Sequence, residues 1–167
     1  MEASGIQLRQ EVYAADAWKI ADWMEDHEVS RYLNEDQNVA KDIRQIIQRI
    51  NMPILTHLFN RNGSFFIITE GVEPIGFLKL ILKGKQAEMV VVIGDKDRWG
   101  RGLGRNAILS GLSHAFYEWR LDQVNAKINC SNERSIRVFR KAGFRPGKEL
   151  NRWAQYSISI EEFLNIN

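Results

Sequence analysis

Three glycines fall within five residues in Gly100-Arg101-Gly102-Leu103-Gly104, and Arg98, Arg101 and Arg105 flank them. Glycines let a backbone approach a ligand closely and turn its N–H groups inward. The run follows the apolar stretch Met89-Val90-Val91-Val92-Ile93-Gly94 and opens a segment, Leu103 to Trp119, that reads as a helix. A helix start adds unpaired N–H donors and the positive end of the macrodipole. Strand, glycine-rich loop and helix together make an anion site, most often for phosphate or pyrophosphate. A carboxylate, Glu88, stands at the start of the same apolar stretch and shares strand parity with Val90 and Val92, so the three side chains point to one face.

The elements that must position these groups follow from period and punctuation. Ile6 to Gln10 alternates as a short strand. Ala14 to Asp26 has Ala17, Ile20, Ala21 and Met24 at helical spacing, and Val39 to about Phe59 reads as further helix interrupted by Pro53. The period then changes. Ser64–Glu70, Ile75–Leu82 and Glu88–Ile93 read as strands joined by short turns, which is an antiparallel meander. After the glycine-led helix, Val124 to Cys130 reads as a strand. Ser131 or Asn132 caps a helix through Ala142 that Gly143 ends in a left-handed turn, and Trp153 to Ile160 alternates as a terminal strand. The span from the third meander strand to Val124 is long enough for a parallel crossover.

Composition narrows the classes. A chain of 167 residues with 44% apolar and 26% charged residues reads as one soluble globular domain, residues 1–167. A net charge of +2 is too small to imply a nucleic-acid partner. The chain has neither a membrane-length apolar run nor a signal-peptide core, so no membrane partner is expected. The lone Cys130 excludes an internal disulfide, suits the cytoplasm and reads as a small buried residue on its strand. Three scattered histidines and one cysteine make no metal site.

Gly102-Leu103-Gly104-Arg105-Asn106-Ala107 fits the dinucleotide pattern G-x-G-x-x-A, with Asp122 downstream. That fingerprint follows its strand by a tight turn, whereas Asp95 to Arg101 intervene here. Asp122 also precedes the next strand instead of ending it, and a meander before the motif is foreign to that fold.

Trp99-Gly100-Arg101-Gly102-Leu103-Gly104 resembles the Q/R-x-x-G-x-G/A signature of the GNAT superfamily of acyl-CoA-dependent N-acetyltransferases, with Trp99 in the Gln/Arg slot. Leu8-Arg9, Ala17-Trp18 and His27-Glu28-Val29-Ser30-Arg31-Tyr32-Leu33 resemble the N-terminal strand and helix of its ribosomal-protein N-terminal and spermidine acetyltransferase branch. Asn132 through Lys141-Ala142-Gly143-Phe144 resembles the family's N-x-x-S/A…K-x-G-F block. The resemblance spans about residues 6 to 160.

It implies an α/β (α+β) GNAT fold: a mixed, mostly antiparallel sheet with a β-meander, a splayed parallel strand pair and flanking helices. It implies acetyl-CoA as cosubstrate, with the amides of Gly102, Leu103 and Gly104 around the pyrophosphate and Trp99, Gly100, Arg101 and Arg105 beside it. The pantetheine arm would pair with exposed backbone near Val92 and Gly94, like an added strand. Asn132 would hydrogen-bond that arm. Phe139 fills the slot where many members carry a tyrosine acid, so water, Ser135 or Tyr156 is left to protonate the thiolate. Glu88, fourteen positions before Gly102, stands where several members carry a general base. The acceptor would be a small-molecule or peptide amine, attracted by Asp26, Glu28, Glu35 and Asp36 and stacked by Trp23 and Tyr32. A homodimer is compatible with the resemblance. A non-catalytic acyl-CoA-binding or interaction module is the alternative from another class, since the usual tyrosine is missing.

Overall fold

The apolar residues between Gly63 and Ile93 fold as an antiparallel meander, as two-residue turns at Gly71-Val72 and Gly84-Lys85 require. A computed structural model describes residues 5–33, 38–61 and 63–166 of the chain. The meander strands are β2 (Gly63–Glu70), β3 (Glu73–Lys83) and β4 (Gln86–Ile93), with β1 (Ile6–Arg9) added antiparallel to β2. A crossover then brings β5 (Gln123–Asn129) parallel to β4. β6 (Arg145–Leu150) and β7 (Trp153–Ser159) complete a seven-stranded sheet in the order β1-β2-β3-β4-β5-β7-β6.

Alternation along β4 divides the core between the two faces. Met89, Val91 and Ile93 pack with α5 (Leu103–Ser113) and α6 (Glu133–Lys141). Val90 and Val92 pack with α1 (Ala14–Glu25), α2 (His27–Ser30) and α3 (Val39–Ile50). Arg9 clamps the nearly buried Asp16 carboxylate at 2.8 and 3.1 Å, and the Tyr13 N–H donates to the same group, which ties β1 to the first turn of α1.

Several boundaries differ from the sequence reading, each for a local reason. The helix expected from Val39 to Phe59 stops at Ile50, where Asn51 turns left-handed at φ 51°, two residues before Pro53; α4 (Thr56–Phe59) is a separate turn. The helix expected through Trp119 is α-helical only to Ser113 and widens into a π-helical segment at His114–Glu118. Ile160 leaves the terminal strand and opens α7 (Ile160–Ile166), where Ser159 and Glu162 cap each other reciprocally at 2.8 and 3.1 Å. Cys130 lies one residue past β5 and is exposed, against the expectation of a buried strand residue. Among the described residues no helix is long and apolar enough to cross a membrane, and no three His, Cys, Asp or Glu residues gather as metal ligands.

The N-terminal helices dock on the far end of β4 at Gly94. A Cβ there would lie 2.2 Å from the Trp23 indole. Lys96 fastens the same junction, reaching Asp26 at 2.9 Å and Glu28 at 3.0 Å. Gly94→Ala must therefore push Trp23 off the strand end. It should cost about 1–3 kcal/mol, the usual scale of overpacking, and lower the urea midpoint with an unchanged m-value.

Candidate active site

The parallel pairing of β4 with β5 covers only Gln86–Gln123, Ala87–Val124 and Glu88–Asn125. Beyond that register the strands part. The direction of each β4 backbone group follows by alternation from fixed points at both ends. Lys83 and Gln86 close the hairpin, and the Gly94 N–H donates to the Ile75 carbonyl at 2.8 Å. The even-numbered residues of β4 thus bond to β3. The Lys85 carbonyl accepts from Asp122 N–H on the β5 side at 2.8 Å, which places the odd-numbered groups there. Val91 and Ile93 therefore present backbone to the gap, with the Ile93 carbonyl already taken by Trp99 Nε1 at 2.8 Å. Val92 and Gly94, expected to offer their backbone, turn it toward β3, because the ladder has no bulge before Ile93.

A cavity of about 920 Å³ occupies the gap and the mouth of α5. Val92, Trp99, Gly100, Gly102, Leu103, Gly104, Arg105, Asn132 and Phe139 all line it. Arg101, Gly94 and Glu88 do not. Arg101 instead bonds Glu70 at 2.9 Å. Arg98 lines the cavity but is engaged by Asp95 at 2.8 Å and by Glu70, contacts that hold its guanidinium pKa above the ordinary value. Sequence reasoning passed over Val91, Ile93, Arg137 and Lys141 in the wall. The helical spacing of Arg134, Arg137 and Lys141 was the available signal.

Gly100 and Gly102 adopt φ of 83° and 77°, a left-handed backbone that side chains disfavour, and a Cβ at either would meet nothing within 4 Å. The loop is thus shaped by glycine and open on its outer side, with the first-turn amides of α5 behind it. Across the gap Asn132 caps α6, accepting from the Ser135 N–H at 3.2 Å. Its Oδ1 serves the cap, while no described protein group bonds its side-chain N–H₂.

Phe139 is 4% exposed and sits edge-on to Phe144, centroids 5.0 Å apart, so it is both core and cavity wall. Tyr156 is buried in the core below α6 and does not reach the cavity. Among the described residues, the cavity-lining hydroxyls are those of Ser135 and Tyr32. Glu88 sits at the last paired register, beside Asn125, with its carboxylate 3.0 Å from Lys83 Nζ. It lies three residues, about 10 Å of strand, before Val91.

The outer wall comes from Val29, Tyr32 and Leu33. Arg31 donates to the Tyr32 hydroxyl at 2.6 Å. Asp26 and Glu28, expected to face a cationic amine, are both held by Lys96, which keeps the Asp26 carboxyl below its ordinary pKa. Trp23 is spent on Gly94. Glu35 and Asp36 lie outside the described residues. Arg134 crosses the mouth from α6 and stacks on the Trp99 ring, 3.4 Å from its centroid. Burial, then Arg31 and Arg137, push its pKa down.

Parted parallel strands and a glycine-led helix at their mouth define an acyl-CoA-dependent acyltransferase of the GNAT class. The acetyltransferase (GNAT) domain model matches residues 7–145, and the chain belongs to that family. The uncharacterized N-acetyltransferase p20 of Bacillus licheniformis is 25% identical over 136 residues, 77% of this chain and 73% of its own length. An N-acetyltransferase 9-like protein of Nematostella vectensis is 36% identical over 58 residues, 35% of this chain but only 29% of its own. The fold matches a spermidine N-acetyltransferase from Vibrio cholerae in complex with CoA and spermine, with a TM-score of 0.79 and 18% identity over 97% of this chain and 99% of that one. It also matches the aminoglycoside acetyltransferase AAC(6′)-Ib in complex with coenzyme A, with a TM-score of 0.77 and 16% identity over 96% and 98%.

Open space around Gly102 separates two effects of substitution. Gly102→Ala should cost only the left-handed strain, about 1–2 kcal/mol, and retain acetyl-CoA binding. Gly102→Asp should keep a comparable stability in urea yet lose acetyl-CoA in equilibrium dialysis, because its carboxylate adds like charge beside the anion.

Proposed function

We propose that this protein moves the acetyl group of acetyl-CoA to a primary amine by direct attack in a ternary complex. One observation carries the reading: two parallel strands part after Glu88–Asn125, and the gap runs into the N-terminus of α5. The pantetheine arm is an extended amide chain. It would lie along β4 and pair with the backbone of Val91 and Ile93 in the place of a neighbouring strand. Its pyrophosphate would meet the amides of Gly102–Gly104 at the positive end of α5. The free N–H₂ of Asn132 would bond the arm from the α6 side. A cavity of about 920 Å³ is of the size such a cosubstrate needs.

The attacking nitrogen must be neutral. Glu88 is the candidate base, acting through water along the face it shares with Val90 and Val92. A backbone N–H next to Val92, that of Val91, would take the tetrahedral oxyanion. With Phe139 in the tyrosine slot, the Ser135 hydroxyl or a bound water returns the proton to the thiolate.

The acceptor class is a primary amine on a small molecule or a peptide. Polyamines, aminoglycosides and protein N-termini are the members of that class to assay. Thiol release from acetyl-CoA with spermidine, an aminoglycoside and a peptide in parallel tests the reading. Release above the hydrolytic background with one of them supports it. No release with any, despite tight acetyl-CoA binding, favours the non-catalytic acyl-CoA-binding module.

Glu88→Gln preserves size and hydrogen bonding but removes the base. Turnover at neutral pH should fall by about a hundredfold or more, with acetyl-CoA affinity unchanged. The deficit should shrink as pH rises toward the pKa of the amine, since neutral amine then forms unaided. A constant deficit across pH, or none, retires Glu88 as the base and leaves orientation as the source of rate.

A further inference from the structure

We propose that Arg105, Arg137 and Lys141 form a subsite for the 3′-phosphate of coenzyme A, so that the protein distinguishes coenzyme A from dephospho-coenzyme A. This rests on the coenzyme reading above and adds a second anion site to the one at the α5 N-terminus.

The inference starts from which cations at the cavity are already neutralised. Arg98 is held by Asp95 and Glu70, and Arg101 by Glu70. These two arginines, next to the glycine loop in sequence, therefore have carboxylates for partners. Arg134 is engaged on the Trp99 ring. Arg105, Arg137 and Lys141 remain. All three line the cavity, and none is bonded to a carboxylate among the described residues.

Their placement is specific. Arg137 and Lys141 stand four residues apart on α6, hence on one face and one turn from each other. Arg105 projects from the first turn of α5, one residue past Gly104. Its Nε donates to the Lys141 carbonyl at 3.2 Å, which holds the side chain across the α5–α6 gap with its two terminal nitrogens free. Three like charges converge from two helices on the stretch of cavity wall just past the glycine loop. A ligand anchored by its pyrophosphate at Gly102–Gly104 reaches that stretch with whatever its nucleotide end carries. In coenzyme A that is a phosphomonoester, close to a dianion at neutral pH. Two guanidiniums and an ammonium match it in charge and in hydrogen-bond donors. The pyrophosphate alone leaves them without a partner, because backbone amides already serve it.

Titration calorimetry with coenzyme A and dephospho-coenzyme A, on the wild-type chain and on the Arg137→Ala/Lys141→Ala double variant, tests this. Single exposed ion pairs are weak, so the expected wild-type preference for coenzyme A is the joint effect of three: about tenfold or more, shrinking as salt rises. The double variant should lose most of that preference while binding dephospho-coenzyme A as the wild type does, which also shows that it is folded. Equal wild-type affinity for the two ligands overturns the subsite and leaves the coenzyme reading intact. So does a double variant that weakens both ligands by the same factor. Failure of the wild type to bind either ligand overturns the coenzyme reading itself, and the subsite with it.

Discussion

The parting of β4 and β5 after Glu88–Asn125 is the constraint on which the rest of this structure depends. A strand buried in a sheet must satisfy its N–H and C=O groups, and open backbone between two strands is costly unless something fills it. Here the backbone of Val91 and the N–H of Ile93 face a cavity instead of a neighbour. The parting cannot close, because α5 and α6 hold the two strands from one side and the N-terminal helices hold β4 from the other. The same helices supply what an acyl carrier needs at each end of the gap: amides at the start of α5, an amide side chain at the start of α6.

Electrostatics then sort the ligand's path. Near the loop, Glu70 and Asp95 neutralise Arg98 and Arg101, so that short stretch offers backbone dipoles more than free charged side chains. Further along α6, Arg137 and Lys141 have no carboxylate partner among the described residues. On the acceptor side, Lys96 draws Asp26 and Glu28 into fastening the helices to β4, and so withdraws them from substrate attraction.

Much of this was legible in the sequence because the signals are local. Alternation in Ile75–Leu82 and Glu88–Ile93, the glycine run before Leu103 and the Asn132 cap each depend on a few adjacent residues, and each element formed. β6 carried no such signal. Arg-Pro-Gly-Lys-Glu-Leu has no apolar period, since an edge strand exposed on both faces buries nothing that would leave one. The helix after Ser159 was readable, since Ser159-Ile160-Glu161-Glu162 is a capping-box spacing. Backbone direction in β4 was not: a one-residue difference in where a ladder bulges reverses which groups face the gap, and only the register fixes that. Apart from the local Arg98–Asp95 pair, the ion pairs that engage Asp26, Glu28, Arg98 and Arg101 join segments far apart in the chain, and spacing alone does not reveal them.

Amide hydrogen exchange, resolved residue by residue in β4 with and without acetyl-CoA, tests the central claim most directly. The account predicts that the Val92 and Gly94 amides are slow in the free protein, because β3 already holds them. The Val91 and Ile93 amides should exchange faster, by about the factor that separates paired from open backbone, and become protected when acetyl-CoA is added. Protection of Val92 or Gly94 on binding, with Val91 and Ile93 unchanged, would contradict it and would mean that the arm lies elsewhere than between the parted strands.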